Sequence, residues 1–166
     1  MVYEGTFNIL DKIAHYINEY LSLGIKHQRI HFGTIWYEEE ESKKAIKQKI
    51  LANRSRYLYA LHDMSLDIWG DGDWSDLRRL RNDLTHQYVS LHVEGGNFQD
   101  EPDGAQKHLM YGQMYKKAVE LLQVIRSAII YLMAFTHYEY LEKRSSMKGI
   151  IGIQELSDQE DYPTSF

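Results

Sequence analysis

The residues of this 166-residue chain best equipped for chemistry lie together, in Arg78-Arg79-Leu80-Arg81-Asn82-Asp83-Leu84-Thr85-His86-Gln87-Tyr88-Val89-Ser90-Leu91-His92. Arginine presents a planar, permanently charged fork to phosphate oxygens. Histidine, with an ordinary pKa near ~6.5, takes or gives a proton at neutral pH. Arg78, Arg81, Asn82, Thr85, His86 and His92 therefore supply two cations, an amide, a hydroxyl and two imidazoles, a set able to bind a phosphate and move a proton. Metal chemistry finds less support. No Glu precedes a His by three residues, as a carboxylate-bridged di-iron site requires. His-Glu-x-x-His is absent, and without cysteine there is no thiolate zinc site and no Cys nucleophile. His27 and His31 are spaced i, i+4, but no third ligand can be identified. The expectation is a site with neither metal nor cofactor.

Apolar spacing predicts that these groups ride on a helix from about Asp73 to Val93. At 100° per residue, Leu77, Leu80, Leu84 and Leu91 fall on one face and point to a core, with Tyr88 at its edge. Arg79, Asp83, Gln87 and Ser90 suit water. The third face gathers Arg78, Arg81, Asn82, Thr85, His86, Val89 and His92. Arg81 and His86 stand five residues apart, so about 140° separates them on an ideal helix. They converge only across a groove between two helices, most simply two copies of this one about a twofold axis. That geometry predicts a homodimer in which both pairs share one cleft.

A helix of this kind needs partners to cover its leucines. Leu10, Ile13, Ile17 and Leu21 predict a first helix, with Thr6 as its cap and Gly24 ending it. Residues from Ile25 to Ser42 are less regular and suggest a loop or short extra helix laid on the bundle, with Glu38 to Glu41 solvated or at a helix N-terminus. A second helix is expected over Lys43–Asp67 and is stopped by Trp69-Gly-Asp-Gly-Asp. Trp69 and Trp74 are expected to anchor packing rather than stack on bases. Glu94 to Gly104 has loop composition, and a long helix is predicted over Ala105–Arg144. Its tyrosines (Tyr111, Tyr115, Tyr131, Tyr138 and Tyr140) suit core and dimer-surface packing. The expectation is an all-α, up-and-down bundle of four to five helices over residues 1–146, followed by an acidic, flexible tail over 147–166.

Composition sets outer bounds. With 43% apolar and 26% charged residues the chain is globular rather than disordered. A net charge of −5 opposes any general coating of nucleic-acid phosphates, so contact with such a ligand must be local. The longest apolar run, Ala128 to Phe135, falls short of the ~20 residues that span a bilayer. The N-terminus lacks the basic-then-apolar layout of a secretion signal. No membrane association and a cytoplasmic location are the expectations.

Arg81-Asn82-Asp83-Leu84-Thr85-His86 resembles the R-x4-6-H signature of HEPN domains, including the polar residue after the arginine. With Tyr88 it is also similar to the R-x4-H-x-Y form of HEPN toxins that are paired with nucleotidyltransferase antitoxins. Asn8 to Leu21 resembles the opening helix of a HEPN subgroup found behind tetratricopeptide-type repeats. The likeness covers roughly Phe7 to Arg144; the Ile25–Ser42 segment departs from the short toxin members. It implies a HEPN-like bundle acting as a metal-independent endoribonuclease on an RNA substrate, in bacterial defence or a toxin–antitoxin-like system. Arg81 and His86 would be catalytic with Asn82 assisting, while Arg78, Thr85 and His92 would contact substrate. Tyr88 matches the tyrosine that antitoxins adenylylate. Implied partners are a second copy and an antitoxin or helical-repeat protein. The alternative is a catalytically silent HEPN domain that binds RNA or a nucleotide, or serves dimerisation, a reading that suits the acidity.

Overall fold

Helix α1 (Val2–Tyr20) buries Leu10, Ile13, Ala14 and Ile17 along one face, as the apolar spacing predicts. The computed structural model describes residues 2–38, 46–86, 88–93 and 106–157, with the side chains of 2–4, 88, 106–107 and 147–157 left out of that description. Thr6 is not the cap expected of it; the chain is already helical there, and Thr6 is buried within α1. The helix stops at Tyr20, ahead of Gly24, which sits at φ +76°, a conformation glycine adopts without steric cost. Asn18 secures the turn by accepting the Ile25 N–H at 3.0 Å.

The irregular segment that follows lies on the bundle, as its composition suggests. It contains a short 3-10 helix (His27–Arg29) and buries Ile30, Phe32, Ile35 and Trp36. Polar ties fix it from two sides. Asp11 of α1 accepts the Phe32 N–H at 3.0 Å, while the Phe32 carbonyl accepts the Trp36 indole N–H at 2.6 Å and the Ser65 hydroxyl at 3.2 Å. Residues 39–41 of the acidic run lie outside the described residues.

The single helix expected over Lys43–Asp67 is two helices, α2 (Gln48–Asn53) and α3 (Arg56–Trp69). Asn53 accepts the Ser55 N–H through its side chain at 3.2 Å, and Arg54 turns left-handed at φ +56°. A short amide side chain that bonds local backbone competes with the helix ladder in this way.

Helix α4 (Ser75–His86) ends seven residues before the predicted Val93. Tyr88–His92 forms strand β1, paired in parallel with β2 (Gln106–Met110), the segment expected to open the last helix. Aromatic and β-branched residues favour an extended chain, and the partner strand lies far along the sequence, where helical periodicity gives no sign of it. Leu91 is therefore not a core residue; it is 52% exposed on β1. The expected loop of residues 94–104 lies outside the described residues.

Helix α5 (Tyr111–Ser157) continues past the expected end at Arg144. It packs on α1 and α3 through Leu121, Val124, Ile125, Ala128 and Phe135. With Phe32, Trp36, Leu58, Leu61, Ile68 and Leu77 these form one core, in which each fully buried side chain of this size contributes roughly 1.5–3 kcal/mol. The described residues are 73% helical and form five α-helices, in keeping with the all-α, HEPN-like expectation. One expectation needs correcting. Over Tyr111–Ser146, α5 is long and apolar enough to cross a membrane by length and composition. Arg126 interrupts the apolar run, and the chain from Leu121 to Tyr138 has no other Asp, Glu, Lys or Arg. A helix can be apolar on both faces without an unbroken run.

Candidate functional site

Helix α4 is held at its start and released at its end. Leu77 and Leu80 are buried, and Lys117 of α5 pairs with Asp76 in the first turn and with Glu120 at 3.0 Å. The hydrogen bond to Asp76 holds the Lys117 ammonium above its usual pKa range. On the next turn, Arg78 donates from Nη1 to the Trp69 carbonyl at 2.9 Å. Trp69 is itself wedged. A Cβ at Gly33 would lie 2.6 Å from its indole, so only glycine permits this approach, and Phe7 and Phe32 flank the ring at 6.1 and 5.9 Å between centroids. The tryptophan acts as a packing anchor, as expected, and its backbone orients an arginine as well.

Arg78, Arg81 and Asn82 line one open pocket of about 350 Å³, together with Phe7, Asp11, His31 and Trp69. Arg81 donates to Asn82 Oδ1 at 3.4 Å, a long contact. Its Nε is shielded from solvent and has no hydrogen-bond partner among the described residues. A buried guanidinium N–H without an acceptor is uncommon, because the lost hydration goes uncompensated.

The other expected site residues lie elsewhere. His86 is exposed on the last turn of α4 and does not line the pocket. Thr85, also exposed, donates its hydroxyl to the Arg81 carbonyl at 2.8 Å, a bond within the helix. His92 does not share a helical face with Arg81, because it belongs to β1. There its Nε2 lies 2.8 Å from His108 Nδ1, with the rings stacked at 5.0 Å. Tyr88 opens β1 instead of edging a helical leucine stripe, and its side chain lies outside the described residues.

Two pocket residues were not foreseen from the sequence. Asp11 carries no signal in the sequence, and His31 carries only its i, i+4 spacing from His27. His27 packs instead against His15, with ring centroids 4.1 Å apart, while His31 Nδ1 lies 3.9 Å from Asp11 Oδ2. Among the described residues no group of three or more His, Asp or Glu could hold a metal ion.

The pocket can take an anion: two guanidiniums and an amide face the single carboxylate of Asp11 and the imidazole of His31. The LA2681-like HEPN family model matches residues 1–139. No curated protein and no solved structure matches the chain. HEPN domains support an RNA-related nuclease or nucleotide-binding module in general terms. The match spans α1 to α4 whole and α5 as far as Glu139, the helices that build the core and carry Arg81 to His86, and on that extent the chain belongs to the LA2681-like HEPN family.

Proposed function

We propose that this protein is a metal-independent endoribonuclease that cleaves RNA at a composite site across a homodimer. The observation that carries the reading is the separation on α4: Arg81 and Asn82 line a pocket, while His86 stands exposed at the helix end. One chain thus offers phosphate binding and proton transfer on different surfaces, which a second copy would bring together. The outer face of α5 supplies a surface for that copy. Val119, Leu122, Ile129, Ile130, Met133 and Tyr140 are exposed there at helical spacing.

RNA carries its own nucleophile, so no bound metal is required. The 2′-oxygen attacks phosphorus; His86 takes the 2′-hydroxyl proton while water protonates the leaving 5′-oxygen, or His86 protonates that oxygen while water takes the 2′-hydroxyl proton. The P–O5′ bond breaks, leaving a 2′,3′-cyclic phosphate and a 5′-hydroxyl. Arg81 stabilises the charge on the pentacoordinate phosphorus, and Asn82 orients the phosphate. The likeness of Arg81 to Tyr88 to HEPN toxins supports a role in bacterial defence or a toxin–antitoxin-like system, with Tyr88 as the residue an antitoxin would modify. The test is cleavage of single-stranded RNA in EDTA with analysis of the product ends. Cyclic phosphate ends, lost in Arg81→Ala and His86→Ala, are expected. Activity abolished by EDTA refutes the metal-free step.

A second reading, a binding module without cleavage, is favoured by the pocket itself, which gathers binding groups without His86. RNA affinity retained without any cleavage would select it.

A further inference from the structure

We propose that the pocket between α1, the His31 turn and α4 is a phosphate-binding site for one unstacked nucleotide unit, in which the His31–Asp11 pair joins Arg78 and Arg81. This deepens the reading above, resting on it only in taking RNA as the carrier of the phosphate. The charge is local. In a chain of net charge −5, Arg78 and Arg81 share one pocket with a single carboxylate. Arg78 is set in place before any ligand arrives, because its Nη1 donates to the Trp69 carbonyl, and among the described residues this bond leaves other guanidinium N–H donors for a phosphate. Arg81 lines the same pocket and, among the described residues, makes only a long contact, 3.4 Å, from Nη1 to Asn82, so its guanidinium edge is not saturated and an anionic oxygen can compete for it.

His31 enters from a different segment of the chain. Asp11 is held by the fold, because one of its oxygens accepts the Phe32 N–H at 3.0 Å. Its other oxygen stands 3.9 Å from His31 Nδ1. His31 therefore lines the pocket beside a carboxylate that the fold holds in place, and an imidazole N–H is a group that can donate to phosphate. Phe7 and Trp69 give the pocket an apolar wall. The volume, about 350 Å³, is at the small end of ligand pockets and suits one nucleotide. A concave pocket accepts a splayed-out nucleotide and rejects a stacked duplex, so the carrier is single-stranded.

The test is fluorescence anisotropy of the full chain with a labelled single-stranded oligoribonucleotide whose 2′-hydroxyls are methylated, so that it cannot be cut. Saturable binding is expected, weakened roughly tenfold or more by Arg78→Ala and several-fold by His31→Gln. Arg78→Lys keeps the charge and should still bind more weakly, which covers the case in which Arg78→Ala fails to fold. Arg79→Ala removes the same charge outside this pocket and should leave affinity unchanged. A nucleoside 5′-monophosphate should displace the oligonucleotide better than inorganic phosphate does. Equal loss in Arg79→Ala and Arg78→Ala, wild-type affinity in both Arg78→Lys and His31→Gln, or no displacement by the monophosphate would each overturn the proposal. The two readings fail separately. Residue-dependent binding without cleavage of ordinary RNA sinks the nuclease and keeps the pocket. Cleavage that depends on Arg81 and His86 but ignores Arg78 and His31 does the reverse.

Discussion

The two halves of α4 are built differently. Around Arg78 and Arg81 the helix is fixed by Leu77 and Leu80 in the core, by the Lys117 pair to Asp76 and by the Trp69 carbonyl. At Thr85 and His86 the side chains are exposed, and the helix gives way to a strand. The arginine half is preorganised by contacts within one chain, so an anion bound there as proposed would not first have to order it. In the half that would transfer a proton only the partly buried Leu84 reaches the core, and His86 itself stands exposed. The contrast teaches that folding alone frames the arginine half of α4, whereas the proposed function leaves the histidine half to be framed by association.

The sharpest way to break this comparison is to mix inactive variants. Arg81→Ala and His86→Ala should each lower RNA cleavage by roughly 100-fold or more. Together in one tube they should recover part of the activity, because a heterodimer keeps one Arg81 facing one His86 from the other subunit. Recovery is read by gel after exchange of subunits, and its absence places both groups in a single chain. Next in size, Leu122→Glu or Met133→Glu should weaken self-association by roughly tenfold or more and cleavage with it. Light scattering of the wild type at twice the chain mass, and of the variants at one, is the check. A wild-type monomer would remove the role given to association.

Gly33→Ala sharpens the other side. The new methyl group would press on the Trp69 indole and disturb the carbonyl that holds Arg78, at a cost of about 1–3 kcal/mol in urea unfolding. Oligonucleotide affinity should fall further than in a core variant of equal stability.

The smallest expected effect concerns the scaffold alone. His62 is buried beside Trp36 and hydrogen-bonds the Tyr37 hydroxyl at 3.2 Å, and burial pushes its pKa below the usual 6.5. Below about pH 6.5 the unfolded chain binds this proton more readily than the folded one. Stability should therefore be full above that pH and decline as pH falls towards the lower folded value. Thermal melts at pH 7.5 and 5.5 check the sign, and His62→Gln should flatten the dependence.

How much was legible in the sequence differs from element to element. The stripe Leu10, Ile13 and Ile17 announced α1, and Leu77 and Leu80 announced the inner face of α4, because helical burial repeats within a few residues. The break at Arg54 and the strand at Tyr88–His92 were not legible. The first depends on one amide side chain bonding local backbone, the second on a partner strand beyond residue 105. His92 consequently lies on β1 and not on the helical face that its spacing suggests. Arg78, Arg81 and Asn82 could be grouped from their positions on one helix, whereas Asp11 and His31 join them only through contacts far apart in the chain.

The sequence by itself determined the helical class, the family motif and the residues able to bind phosphate or carry a proton. These follow from local spacing and side-chain chemistry, which need no knowledge of what lies across the core. Only the tertiary structure decided that Arg81 looks towards His31 and Asp11 while His86 stands outside the pocket. Packing of α1, the His31 turn and α4 around Phe32 and Trp69 sets those directions, and no single segment encodes it.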